Sequence, residues 1–117
     1  MIHDLKKHLK DQSTPEAFCF ALRCSECGRL IQSTPIRFSM SGIIPASTEK
    51  QIVLDAVYRR EKESALCRAV SELKSLVSEC PICLRTVCDR CFLICDELDM
   101  CVNCADRLHE QGDPVLA

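Results

Sequence analysis

Apolar residues recur every three or four positions in two parts of the chain, which is the spacing of an amphipathic helix. The first part is residues 1–12, where Ile2, Leu5 and Leu9 would form one face of a short N-terminal helix. The second part is residues 48–78. A helix of about 30 residues is about 45 Å long at 1.5 Å per residue, which is more than a small module can cover.

The predicted long helix begins with Thr48-Glu49-Lys50-Gln51, which has the form of a capping box. Its apolar positions form two groups, which are Ile52, Val53, Ala56 and Val57, and then Leu66, Ala69, Val70, Leu73, Leu76 and Val77. Residues 59–64 between the groups are polar on every side, so we expect the helix to protrude with a solvated middle or to break near Glu63. A second copy could bury one apolar end, which predicts a homodimer through the long helix. The alternative is that both halves pack on their own chain.

Residues 17–40, between the two predicted helices, have the alternating pattern of a β-hairpin. Apolar and less apolar residues alternate over residues 18–22, which predicts a half-buried strand. Residues 30–38 are predicted to return as the second strand, and Pro35 marks an edge or a break in it. Gly28 can supply the positive φ that closes the turn between the strands.

Composition limits the class of protein. The 117 residues are one domain's worth of chain, and a net charge of −2 with 27% charged residues excludes a polybasic nucleic-acid tail and a disordered acidic tract. No stretch approaches the ~18 apolar residues of a membrane span. Residues 1–10 are charged where a signal peptide needs an apolar core. We therefore expect a soluble cytoplasmic protein without membrane association, folded as a single domain over residues 1–117.

Cysteine is the residue type that carries chemistry here, with 11 copies in the chain. Eight of them form four Cys-x-x-Cys pairs, which are Cys24 and Cys27, Cys80 and Cys83, Cys88 and Cys91, and Cys101 and Cys104. A structural zinc site takes four tetrahedral protein ligands, so four pairs predict two structural Zn²⁺ ions. Cys19, Cys67 and Cys95 are left over and are expected to be packed thiols.

Iron is the main alternative metal. A rubredoxin-type iron site uses two Cys-x-x-Cys knuckles that are each followed by glycine. Gly28 follows the first pair in this way, but Leu84 follows the second. The arrangement therefore favours zinc.

The last three pairs predict a zinc finger over residues 79–112. Residues 84–100 separate the second pair from the fourth, which suits a treble clef, where a knuckle and a β-hairpin precede a helix that carries the last two ligands. That helix would begin at Cys101–Cys104 and stop at Gly112-Asp113-Pro114. The third pair would then lie within the hairpin, from which it could reach the first pair.

Three pairings of the cysteines remain open. In a cross-brace, one zinc is bound by Cys24, Cys27, Cys88 and Cys91, and the other by Cys80, Cys83, Cys101 and Cys104. A sequential scheme joins the first pair to the second and the third to the fourth. The last scheme joins the second pair to the third across only four residues, which is strained but not forbidden.

With alternate pairs sharing a metal, residues 80–104 resemble the cross-brace treble-clef zinc fingers. The four residues between Cys83 and Cys88 are similar to the ligand plan of FYVE fingers, and Cys80-Pro-Ile-Cys83-Leu84 is similar to the opening of a RING finger. The resemblance implies an α+β, zinc-stabilised module, made of a β-hairpin knuckle and a treble-clef finger with the long helix inserted between the first and second cysteine pairs. It concerns the ligand plan and carries no activity over to this chain.

These ligand sets indicate a structural role and not catalysis. A catalytic zinc keeps one position open for water, usually with histidine or carboxylate ligands, whereas His3, His8 and His109 are scattered. We expect a non-enzymatic protein whose two zinc sites support a protein-interaction or adaptor surface for an unidentified protein partner. The alternatives are a thiol-based metal or redox sensor with labile zinc, or a weak nucleic-acid-binding zinc protein. Five arginines flank the pairs and are expected to partner the zinc–thiolate centres, namely Arg23, Arg29, Arg85, Arg90 and Arg107.

Overall fold

The computed structural model describes residues 5–115, which form three helices and ten short strands. The molecule is elongated, with dimensions of 65 × 22 × 17 Å. The helices are α1 (Leu5–His8), α2 (Thr48–Lys74) and α3 (Val102–Leu108). The strands are β1 (Lys10–Asp11), β2 (Ala17–Phe18), β3 (Phe20–Arg23), β4 (Leu30–Gln32), β5 (Ile36–Arg37), β6 (Val77–Glu79), β7 (Thr86–Cys88), β8 (Phe92–Ile94), β9 (Met100–Cys101) and β10 (Asp113–Pro114).

The N-terminal helix is shorter than the periodicity predicts. It covers Leu5–His8, and residues 1–4 of the predicted 1–12 helix lie outside the described residues. Lys10 and Asp11 pair instead with Ala21 and Phe20 of β3 in an antiparallel ladder. The backbone hydrogen bonds of that ladder replace those of a further helical turn, so the helix ends before Lys10.

The predicted hairpin of residues 17–40 consists of two antiparallel ladders. β3 pairs with β4, and the two flanking strands β2 and β5 pair with each other. The returning strand is interrupted over residues 33–35, where Pro35 has no N–H to donate to a ladder. β1, β3 and β4 form one sheet of three strands, which places Cys24 and the turn after it at the end of that sheet.

α2 is one continuous helix from Thr48 to Lys74 and does not break near Glu63. Its N-cap is Ser47, one residue before the predicted start of the capping box, and the Ser47 hydroxyl accepts a hydrogen bond from the backbone N–H of Lys50 at 3.2 Å. The helix ends at Lys74 because the chain enters β6 at Val77. Among residues 5–115, no helix combines the length and the apolar character needed to cross a membrane.

The polar middle of α2 is held by its own chain. Lys6 donates to Glu63 at 2.8 Å, Lys62 forms an ion pair with Asp11, and Glu61 accepts a hydrogen bond from the Ser39 backbone at 3.1 Å. The residues that make these contacts come from α1, β1 and the loop after β5. Glu61, Lys62 and Glu63 therefore face neighbouring elements, and the polar segment does not mark a helix break.

One face of the C-terminal half of α2 is buried against the rest of the chain. Ala65, Ala69 and Leu73 are each at most 3% exposed, and they join two apolar clusters. One cluster surrounds the cysteines, and the other contains three phenylalanines with Tyr58 at their edge. This apolar end of the helix is thus covered without a partner, whereas Ile52 and Val53 at the other end are 63% and 59% exposed.

The C-terminal part of the chain places a helix beside a small sheet. β6 pairs with β7, and β8 lies between β9 and β10. α3 ends at Leu108, before the predicted stop at Gly112, and its C-cap His109 adopts a left-handed conformation with φ 56°. Gly112 has a different role, because a Cβ there would lie 2.5 Å from the carbonyl oxygen of Ile94. Its missing side chain lets β10 approach β8 closely.

Candidate metal centres

The structure gathers eight cysteines into two groups of four. Site 1 consists of Cys24, Cys27, Cys88 and Cys91, and site 2 consists of Cys80, Cys83, Cys101 and Cys104. Within each group, all four sulfur atoms lie within 4.8 Å of one another. Alternate pairs therefore come together, as in the cross-brace alternative and unlike the sequential one. Cys19, Cys67 and Cys95 lie in neither group. The prediction that they are packed is wrong for Cys67, which lies on the exposed side of α2.

The first pair is presented by a tight turn at the end of β3. The Cys24 N–H donates to the carbonyl of Arg29 at 3.0 Å, and the Gly28 N–H donates back to the carbonyl of Cys24 at 3.0 Å. Gly28 has φ 76°, a left-handed conformation that glycine adopts without steric cost. The turn thereby directs the side chains of Cys24 and Cys27 toward the same point.

The second pair repeats this turn with leucine in place of glycine. The Cys80 N–H donates to the carbonyl of Arg85 at 2.9 Å, and the Leu84 N–H donates to the carbonyl of Cys80 at 2.8 Å. Leu84 has φ 64°, a conformation that costs a non-glycine residue about 1–2 kcal/mol. A residue is held in this region only where its surroundings over-determine it. Closure of the turn around Cys80 and Cys83 supplies that constraint.

The third and fourth pairs lie at the ends of regular elements. Cys88 is the last residue of β7, and Cys91 directly precedes β8. Cys101 is the N-cap of α3, where its sulfur accepts a hydrogen bond from the Cys104 N–H at 3.5 Å. The two sites are joined through the backbone, because the N–H of Val102 donates to the carbonyl of Cys91 at 2.9 Å.

The spacing of the sulfur atoms fits a tetrahedral metal. Four thiolates at about 2.3 Å from a zinc ion are about 3.8 Å apart along each edge of the tetrahedron. The Sγ atoms of Cys27 and Cys88 are 3.8 Å apart in site 1. In site 2, Cys80 and Cys104 are 3.8 Å apart, and Cys83 and Cys101 are 3.7 Å apart. Each of these distances joins one Cys-x-x-Cys pair to the other, so both sites have the dimensions of a four-sulfur metal centre.

Backbone donors favour a thiolate in site 1. Burial alone would raise the pKa of the Cys24 thiol. The N–H groups of Glu26, Cys27 and Cys88 donate to its sulfur at 3.3 to 3.5 Å. They outweigh burial and lower the pKa of Cys24 from 9.0 to about 6. Burial and the neighbouring thiols raise the pKa of Cys91. These contacts favour ionisation of Cys24 and oppose that of Cys91.

Site 2 likewise contains both a thiol with a lowered pKa and a thiol with a raised pKa. Here a side chain is among the hydrogen-bond donors. Burial opposes ionisation of Cys83, but a hydrogen bond from Arg85 Nε at 3.5 Å helps to lower its pKa to about 6. Burial and the adjacent sulfurs of Cys101 and Cys80 raise the pKa of Cys104 to about 12. Metal binding must therefore displace protons from some of the thiols in each site, which makes affinity fall at low pH.

Arg85 connects the two sites. Its guanidinium donates to the sulfur atoms of Cys83 at 3.5 Å and Cys101 at 3.9 Å in site 2. It also donates to the carbonyl of Ser25 at 3.2 Å and to the carboxylate of Glu26 at 2.7 Å, both in the turn of the first pair. Of the five arginines near the pairs, it is the one that donates to cysteine sulfur within residues 5–115.

Neither of the two described histidines is part of a site. His8 and His109 are exposed and belong to neither cysteine group, and His3 lies outside the described residues. The donor sets are therefore four thiolates each, which is a combination that zinc and iron prefer.

Comparison of the chain with protein-family models, with curated proteins and with solved structures gives no match.

Proposed function

We propose that this is a non-enzymatic zinc-binding protein, in which two structural four-cysteine zinc sites hold a fold that presents a protein-interaction surface. The observation that carries the proposal is the spacing of 3.7–3.8 Å between sulfurs of different pairs in both sites. Zinc suits these sites because it accepts four thiolates in a closed tetrahedron and has no other geometric preference. None of the cysteines of residues 5–115 is in a disulfide, in keeping with a reducing compartment such as the cytoplasm.

The order of the elements around site 2 supports a treble clef. The turn after β6 carries Cys80 and Cys83, strands follow, and the first turn of α3 carries Cys101 and Cys104. The third pair lies between β7 and β8 and points to the first pair. This order supports a cross-brace finger in which α2 is an insertion between the first two pairs.

A structural role follows from the closed ligand sets. Each site has four protein sulfurs, so it has no position for a water molecule that a catalytic zinc would activate. Three of the four cysteines in each site are buried, which further limits access of a substrate. The sites therefore serve to fix the turns and strands around them.

A protein-interaction role is supported by exposed apolar residues outside the zinc sites. Ile43, Ile44, Ile52 and Val53 are all more than half exposed. Ile43, Ile44 and Val53 line one groove between α2 and the loop before it, and Ile52 precedes Val53 on the helix. Contiguous apolar surface of this kind marks a binding site on a soluble protein.

A redox sensor is the second candidate, and one observation favours it. Cys27 is exposed although the other three ligands of site 1 are buried, so an oxidant can reach that sulfur. In a sensor, oxidation of Cys27 would form a disulfide with a neighbouring cysteine and release the zinc. In a structural protein, zinc would stay bound under the same conditions.

Mild peroxide treatment separates these two functions. We expect the native protein to keep both zinc ions and all eight ligand thiols, because three of the four cysteines in each site are buried and buried structural cysteines are inert. Zinc release would be followed with a chromogenic chelator and thiols counted after denaturation. The Cys67→Ser variant is the control, since Cys67 is exposed and lies in neither site. Stoichiometric zinc release together with loss of two or more thiols in both proteins would support the sensor and contradict the structural role.

Substitution of Arg85 is expected to weaken zinc binding without removing a ligand. Arg85→Ala loses the donors to the sulfurs of Cys83 and Cys101, and changes of this kind typically cost about 10–100-fold in metal affinity. Competition with a chromogenic chelator measures the affinity of each site.

Two variants show which contact of Arg85 matters. Glu26→Gln removes only a partly exposed ion pair, which is worth about 0.2–1 kcal/mol, so zinc affinity should stay near that of the native protein. Arg85→Lys keeps the charge but loses the fork of donors, and we expect an intermediate affinity. Native affinity in Arg85→Ala would show that backbone N–H groups alone hold the thiolates of site 2.

A further inference from the structure

One exposed face of α2 carries an apolar stripe with a charge at each end. Glu49, Ile52, Val53, Ala56 and Arg60 are spaced at three, four, seven and eleven residues from the first, so they lie on the same face of the helix. All five are exposed. We call this set the N-terminal stripe.

The loop before the helix widens this apolar surface. Ile44 is 90% exposed and Ile43 is 52% exposed. The loop and the first turns of α2 line a shallow groove to which Val53 also contributes, so the groove continues into the N-terminal stripe. A single exposed apolar residue is ordinary on a protein surface, but a joined group of large aliphatic side chains is not.

The charged residues at the two ends of the N-terminal stripe differ in their ion-pair partners from the charged residues farther along α2. Glu61, Lys62 and Glu63 all bind groups of their own chain. By contrast, the side chains of Glu49 and Arg60 form no ion pair with any residue of 5–115. They are about 16 Å apart along the helix axis, on either side of the apolar residues. Their opposite signs make the stripe complementary to itself when it is reversed.

We propose that the N-terminal stripe docks on the same stripe of a second copy of this chain, with the two helices antiparallel. The inference rests on the proposed interaction function and names its partner. A two-fold axis between residues 54 and 55 places Glu49 of each copy beside Arg60 of the other, and Val53 beside Ala56. The small side chain of Ala56 lets the helices approach closely. A parallel pair would instead bring like charges together at both ends.

Antiparallel docking also uses the loop. Ile43 and Ile44 flank the stripe, so they extend the contact beyond the width of one helix face. Removal of their exposed apolar surface from water is the main source of affinity in this arrangement, and the two ion pairs fix the direction of the helices. The zinc sites are at the other end of α2, and they do not take part in the contact.

Charge reversal in the full zinc-loaded protein tests the arrangement. Sedimentation velocity over a dilution series should show a dimer for the native chain. Glu49→Arg and Arg60→Glu should each raise the dimer dissociation constant about tenfold, because each puts like charges together twice. The double variant Glu49→Arg/Arg60→Glu restores opposite charges in both contacts and should dimerise nearly as well as the native protein. Val53→Glu should abolish the dimer.

Matched controls separate docking from folding. Arg68→Glu reverses a charge on an exposed part of α2 outside the stripe, and it should leave the dissociation constant unchanged. Zinc content is measured for each variant, and we expect two ions in all of them. A native chain that binds two zinc ions but stays monomeric overturns self-docking without touching the zinc proposal. If the dimer dissociation constant of the double variant is no lower than those of the single variants, the antiparallel geometry is wrong. A chain without zinc contradicts the proposed function itself.

Discussion

Removal of zinc by a chelator is expected to unfold residues 80–112 cooperatively. The apolar cluster of this region includes six cysteine side chains of the two sites, so much of its interior is sulfur and not hydrocarbon. Each structural zinc supplies about 10–16 kcal/mol of apparent binding free energy, which is as large as the entire stability of an ordinary domain, about 5–15 kcal/mol. Excess EDTA should therefore remove the part of the circular dichroism signal that folded residues 80–112 contribute. It should also increase the radius of gyration measured by small-angle scattering.

The aromatic cluster indicates which part of the chain should stay folded after chelation. It contains Phe18, Phe20 and Phe38 with Ala65 and Ala69 of α2, and no metal ligand belongs to it. Tyr58 packs on it, with ring centroids 4.9 Å from Phe18 and 5.1 Å from Phe38. Part of the helical signal should consequently persist after chelation.

The control for chelation is the Cys67→Ser variant. The exposed Cys67 thiol, which this variant lacks, lies in neither site, so EDTA should unfold the variant to the same extent as the native chain. Readdition of Zn²⁺ should restore the spectrum of both proteins. A chelated protein that kept its full spectrum and its compact size would contradict the structural role of the metal.

The sequence predicts which cysteines form Cys-x-x-Cys pairs better than it predicts how distant segments pack around those pairs. The spacing of Cys-x-x-Cys pairs is local, because a turn of a few residues brings two sulfurs together. The prediction of two four-cysteine clusters agrees with the structure for this reason. Which pairs share a metal depends on contacts between distant segments, such as the hydrogen bond of 3.0 Å from Ser25 N–H to the carbonyl of Thr86. Those contacts leave no local pattern, so the spacing left three pairings open.

The helices show the same limit. Residues 59–64 are polar on all sides, and sequence alone could not distinguish a break from a continuous helix whose charges meet Lys6, Asp11 and Ser39. Periodicity predicts too long an N-terminal helix because the ladder between β1 and β3 is likewise non-local. The periodicity makes Leu73 a candidate for an interface, but this residue is fully buried in its own chain. Periodicity identifies an apolar face without saying which molecule covers it.

Two triple variants are expected to differ sharply in zinc content. Both contain Cys24→Ser and Cys27→Ser, which eliminate one site in any pairing of the cysteines. With Cys91→Ser as the third change, site 2 keeps all four of its sulfurs and should retain one zinc ion per chain. With Cys83→Ser instead, site 2 loses a ligand, and no zinc should survive dialysis, because a three-sulfur site gives up a large part of the binding free energy of about 10–16 kcal/mol.

The same two variants distinguish all three pairings. Each has three Cys→Ser substitutions, and the two variants differ only in the third one. Sequential pairing reverses the result: Cys88, Cys91, Cys101 and Cys104 would share the remaining zinc, so Cys91→Ser would lose it and Cys83→Ser would keep it. Pairing of the second and third pairs would lose zinc in both variants. Elemental analysis gives the zinc content, and the charge-transfer absorption of Co²⁺ bound in its place reports whether four thiolates surround the metal. Because Cys83 and Cys101 lie 3.7 Å apart in site 2, we expect zinc only in the variant that keeps both of them.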